Sequence, residues 1–158
     1  MNGVIQAVNE PEIALTSNTA TMPFSIVDLR TRSAINCNSW MNHNEGTGLF
    51  SILEGGIYRV NFNTNITSAT AGNVALGLFA DGVLVPGTEM DATIATAGDW
   101  ENISFNKEIR VCCKGTVNLS INSLPTTTFS ETGTPVVTDT QIPIVKNGNF
   151  NITRLTGN

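Results

Sequence analysis

The side chains in this chain that could do chemistry are scattered. Glu89 with Asp91, and Asp99 with Glu101, bracket one polar segment. Carboxylates so placed could converge on a hard cation such as Ca²⁺, which prefers several oxygen ligands, or flank a scissile glycosidic bond. The segment lacks calcium-loop spacing, and nothing in the sequence puts the four residues in a cleft, so a solvated acidic loop is expected. His43, in WMNHNEG, is the only histidine. Cys112 could serve as a nucleophile with it only if the fold brought the two together. A surface histidine and a buried or idle thiol are expected instead. Cys112 and Cys113 are adjacent and lack the two-residue spacer of a zinc knuckle. The reading is of no catalytic residue, no metal site and no cofactor.

Two tryptophans, Trp40 and Trp100, stand beside polar turn residues. Either could stack outward on a sugar ring, line an interface, or pack partly buried. Asn-x-Ser/Thr triplets begin at Asn65, Asn102, Asn118 and Asn151. They fit a by-product of asparagine, apolar residue and hydroxyl alternating along strands, and no leader sequence is expected that would send them to a glycosylating compartment. Cys37, Cys112 and Cys113 make an odd count, and neighbours on a strand point to opposite faces. Reduced thiols in a cytosol are expected, with a bridge from Cys37 to the pair as the alternative.

The elements that must carry these groups are strands. The 158 residues suit one domain, and a domain of this size hides roughly 70% of its unfolded surface, enough for a core without staples. Charged residues make up 13% and the net charge is −5. The 19 asparagines and 21 threonines favour strands and turns over helices. With no cluster of lysine or arginine and a pI of about 4.7, a nucleic-acid partner is not expected. No apolar run approaches the length of a membrane-spanning helix, so no membrane role is expected either.

Residues 54–67, EGGIYRVNFNTNIT, alternate strictly. Tyr58, Val60, Phe62, Thr64 and Ile66 would share one face of a strand, and Ile57, Arg59, Asn61, Asn63 and Asn65 the other. In NVALGLFADGVLVPG, Val74, Leu76 and Leu78 alternate with Ala75, Gly77 and Phe79 before Asp81-Gly82, a strong hairpin signal. Both faces are apolar or small, which asks for a second covering surface such as a neighbouring subunit. ENISFNKEIRVCC sets Ile103, Phe105, Ile109 and Val111 on one face, with Lys107 interrupting it at a bulge or edge. A second hairpin is expected at Lys114-Gly115 leading into TVNLSINSL, and a last one around Asn147-Gly148 between residues 136–146 and 149–155. MPFSIVDLRTRSAINC adds one or two strands.

Long loops are expected at 63–73, 86–100 and 123–135. Residues 1–20 are expected to form an N-terminal arm ahead of a domain over 21–158, because Pro11 and the polar run from Thr16 to Thr21 interrupt any regular pattern. In all, about eight to ten strands argue for an all-β sandwich or jelly roll.

The stretch from Phe50 to Phe62 carries an aromatic residue, five residues, then Gly56, Tyr58, Val60 and Phe62 at alternate places. It resembles the signature of the complement-1q/tumour-necrosis-factor-like superfamily, with Val60 where that family usually has Phe and Asn38 where it has Asn or Asp. Residues 50–122, including AGNVALGLFADGVLVPG and AGDWENISFNKEIRVCCKGTVNLSI, are similar to a bacterial and phage branch of these domains. The resemblance implies a jelly-roll β-sandwich of about ten strands assembled as a homotrimer, of a kind found on spores and phage particles.

The expectation that follows is a non-enzymatic, trimeric virion protein, a phage head fibre or capsid-decorating protein assembled in the host cytoplasm. Tyr58, Val60, Phe62, Phe79 and Phe105 would pack the core or the trimer axis. The arm, with Val4, Ile5 and Val8, would dock on other virion proteins, while Trp40 and Trp100 would face outward. The alternative is a trimeric module that binds host-surface glycans or a receptor.

Overall fold

The computed structural model describes residues 3–30, 40–112, 116–125, 127–129, 131–137 and 140–157. Among them are fourteen strands and no helix: β1 (Gly3–Asn9), β2 (Ile13–Ala14), β3 (Ile26–Arg30), β4 (Met41–His43), β5 (Phe50–Ile52), β6 (Gly56–Thr67), β7 (Gly72–Ala80), β8 (Val83–Leu84), β9 (Met90–Ile94), β10 (Glu101–Val111), β11 (Val117–Ser123), β12 (Thr127–Phe129), β13 (Pro135–Val137) and β14 (Ile144–Gly157). The first sheet runs β10-β6-β14-β1-β3, with β2 also on β14, and the second runs β4-β5-β11-β7-β8, with β9 also on β7. Both are antiparallel, and they face each other as a jelly-roll sandwich.

Alternation of apolar and polar side chains decides which face each strand buries. In β6, Tyr58 and Val60 are fully buried and Phe62 is 1% exposed, so these three fill the sandwich. Phe62 and Phe150 of the first sheet meet Phe50 of the second around Phe24. The Phe50 and Phe150 rings lie edge to face at 4.8 Å, and Phe24 stacks on Phe150 at 5.5 Å. Edge-on and offset ring pairs add to what the buried area alone supplies. Phe24 lies outside any strand and is held by backbone bonds with Gly46 and Thr47.

The Asp81-Gly82 hairpin forms as expected, between β7 and β8. Both central residues have positive φ, 49° and 80°, the requirement of a tight mirror-image turn. Asn147-Gly148 differs. Only Asn147 has positive φ, 52°, and residues on either side stay paired with β6, with a one-residue register shift between Lys146 and Asn149. The expected turn is therefore a β-bulge inside one long strand, β14.

Three further expectations are corrected. Lys114 and Gly115 lie outside the described residues, but no hairpin pairs the strands on either side of them: β10 belongs to the first sheet and β11 to the second. The polar loops are shorter than expected, because β6 runs on to Thr67, β9 lies within 86–100, and β12, inside 123–135, pairs with β13, which begins at Pro135. The N-terminal residues are no separate arm, since β1 sits inside the first sheet between β14 and β3. Ile5 and Ala7 are fully buried, and the segment after them is tied down by Leu15 N to Pro143 O and Ala20 N to Ser123 Oγ. Hydrogen bonding to the far end of the chain captures a segment whose local pattern looks broken.

Candidate functional surfaces

Strand register composes the outward face of the first sheet. Gln6 pairs with Asn151, Asn151 with Asn61 and Asn61 with Asn106, so four carboxamides form one row across β1, β14, β6 and β10. The row Val8–Asn149–Asn63–Ser104 lies on one side of it and Val4–Thr153–Arg59–Glu108 on the other. Arg59 meets Glu108 at 2.8 Å, an exposed pair that leaves the face close to neutral. A carboxamide both donates and accepts, so such a row can bond to water or to a copy of itself. Of the expected docking residues, Val4 and Val8 are half-buried on this face, whereas Ile5 points into the core.

Beyond the bulge the face ends in Lys146, Asn65 and Asn102, with Asn102 Nδ2 donating to Asn65 Oδ1 at 3.2 Å. The Lys146 ammonium sits 4.0 Å from the Trp100 ring centre, a cation–π contact across β6. Trp100 is half-buried. Trp40 does not face outward: it is 5% exposed, and its ring packs on Tyr58. Phe105 is half-buried on the inner side, 6.0 Å from Phe62. Phe79 lies on the outer side of β7, opposite Leu84 in the β8 hairpin. Leu84 and Leu124 also close over Gly77, so the chain itself covers part of the outer face for which a neighbouring subunit was expected.

Of the described groups named for chemistry, Glu89 and Asp91 come together, whereas His43 and Cys112 do not. His43 is buried rather than at the surface: it is 5% exposed, its ring stacks on Phe50 at 3.8 Å, and Nδ1 bonds the Leu49 carbonyl oxygen at 2.9 Å. Along β4, Met41 and His43 turn inward and Asn42 outward, a placement fixed by the pairing of β4 with β5. Exposed Cys112 follows β10, which lies against β9, while His43 is on the far edge of the second sheet. Cys37 and Cys113 lie outside the described residues. Burial, the negative charge of Asp91 and a hydrogen bond with Asp91 all raise the Glu89 carboxyl above its usual range. Among the described residues no three acidic, histidine or cysteine side chains come together to hold a metal.

No protein-family model matches the sequence, and no curated protein matches it. Solved structures do. The globular domain of a zebrafish complement 1qA protein superposes with a TM-score of 0.63 at 12% identity, covering 99% of each chain. The fold is the complement-1q and TNF jelly roll. Murine APRIL aligns with a TM-score of 0.60 at 7% identity over 98% of this chain and 100% of that one. Eiger TNF from S. frugiperda aligns at 0.55 and 6% identity over 100% and 94%. At such identities the likeness is one of fold alone.

Proposed function

We propose that this jelly roll is a non-enzymatic structural protein that assembles as a homotrimer on a bacteriophage particle, as a head fibre or capsid-decorating protein. The observation that carries the reading is the outward face of the first sheet, broad, nearly neutral and crossed by the carboxamide row from Gln6 to Asn106. Such a face suits contact with copies of itself, since carboxamides pair with carboxamides without burying net charge. The resemblance of residues 50–122 to phage domains supplies the setting. Repeated weak contacts on a particle would add through multivalency.

Light scattering tests the assembly: the full chain should run at three protomer masses, and Asn61→Lys with Asn151→Lys, which put like charges in the row, should give monomers. A monomeric full chain removes the proposal. Immunogold labelling of purified virions tests the setting. A second reading, a trimer that grips host-surface glycans, draws on half-buried Trp100. Loss of glycan-array signal in Trp100→Ala would favour it.

A further inference from the structure

A cavity of about 170 Å³ opens on the outer side of the second sheet, lined by Asn42, His43, Asn44, Thr47, Leu49 and Ser51. We propose that it binds one neutral sugar ring, either a free monosaccharide or the terminal residue of a glycan.

The walls are preformed. Asn42 and Ser51 are paired across β4 and β5, and the connecting turn is closed by Thr47 N to Asn44 O at 3.1 Å and Thr47 Oγ1 to Asn44 O at 2.7 Å. Behind it, the His43 ring is clamped on Phe50 and bonded to the Leu49 carbonyl. A site rigid before binding loses little entropy on binding.

The chemistry of the lining selects the ligand. The Asn42 and Asn44 carboxamides are exposed and make no side-chain hydrogen bond with the described residues, so each offers two N–H donors and an oxygen acceptor. Ser51 donates to Asn118 Oδ1 at 2.7 Å and Thr47 donates to Asn44, which leaves both hydroxyl oxygens as acceptors. Sugar hydroxyls both donate and accept, and match this set. Leu49, 49% exposed, offers an apolar surface to the C–H side of a ring. Among the described residues no charged side chain lines the cavity. The nearest in sequence, Glu45, accepts from Val27 N at 2.9 Å. The volume is below the roughly 300–1,000 Å³ of drug-sized pockets, which limits the occupant to one ring.

The site is independent of trimer assembly and of Trp100. Saturation-transfer NMR on the full chain with glucose, galactose, mannose and N-acetylglucosamine should give transfer from at least one at millimolar affinity. Asn42→Ala and Asn44→Ala change exposed side chains, so the fold should persist. Each should weaken binding about tenfold, in keeping with a lost hydrogen bond on each side of the ring. A glycan array then separates the two sources: signal on chains ending in that sugar identifies a terminal residue, and array silence with NMR binding identifies the free sugar. No transfer from any of the four, signal on internal residues, or loss in Trp100→Ala with none in Asn42→Ala would each overturn the proposal.

Discussion

Trp40 lies over Tyr58, with ring centres 5.4 Å apart and planes 34° apart, and it takes up the space beside Gly3 that a side chain there would need. Gly3, Arg154 and Tyr58 are successive partners across β1, β14 and β6, so one indole plugs the end of three strands. Arg154 completes the corner by bonding the Glu54 carboxylate at 2.5 Å and the Gly55 carbonyl at 3.0 Å, while the Tyr58 hydroxyl donates to the Glu54 carbonyl at 2.6 Å.

A Cβ at Gly3 would fall 2.0 Å from Trp40 Nε1, so the ring must move to admit it. Gly3→Ala should lower stability by about 1–3 kcal/mol, the usual cost of overpacking. Urea unfolding followed by tryptophan fluorescence measures the loss, and an unchanged midpoint would contradict the packing of this corner.

The same corner makes the protein sensitive to alkali. Burial raises the Tyr58 phenol above its ordinary value of 10.0, with Arg154 opposing and Glu54 reinforcing the effect. Above pH 10.0 the unfolded chain loses this proton while the folded chain keeps it, so stability is intact below that pH and falls as pH rises toward the folded value. Tyr58 is the only tyrosine, so tyrosinate absorbance reports it alone. That absorbance should appear only above pH 10.0, together with loss of native near-ultraviolet dichroism.

At the bulge, Asn147 holds φ at 52°. Asparagine tolerates this region, glycine does so freely and a β-branched residue resists it. Asn147→Val should therefore cost about 1–2 kcal/mol, while Asn147→Gly should leave the thermal midpoint nearly unchanged. Equal loss in both variants would point to a role for the side chain instead of the backbone.

Removing residues 1–9 should abolish cooperative unfolding, because it strips hydrogen-bond partners from β14 and β3 together and uncovers the buried surface around Ile5 and Ala7. Chemical denaturation of the truncated chain is the check. A truncated chain that unfolds with full cooperativity would restore a detachable arm.

The sequence by itself determined the all-β class, the buried face of β6 and the Asp81-Gly82 turn, because each is written in neighbouring residues: alternation sets the face, and a two-residue turn sets its own backbone. It carried the jelly-roll resemblance in the same local way. Only the tertiary structure decided that β1 is an interior strand, that Asn147-Gly148 is a bulge, that the chain changes sheets after β10, and that Trp40 and His43 are buried. Those outcomes depend on which distant strand supplies the hydrogen bonds. The Gln6–Asn151–Asn61–Asn106 row was invisible for the same reason: its members are separated by long stretches of chain, and inter-strand register alone brings them side by side.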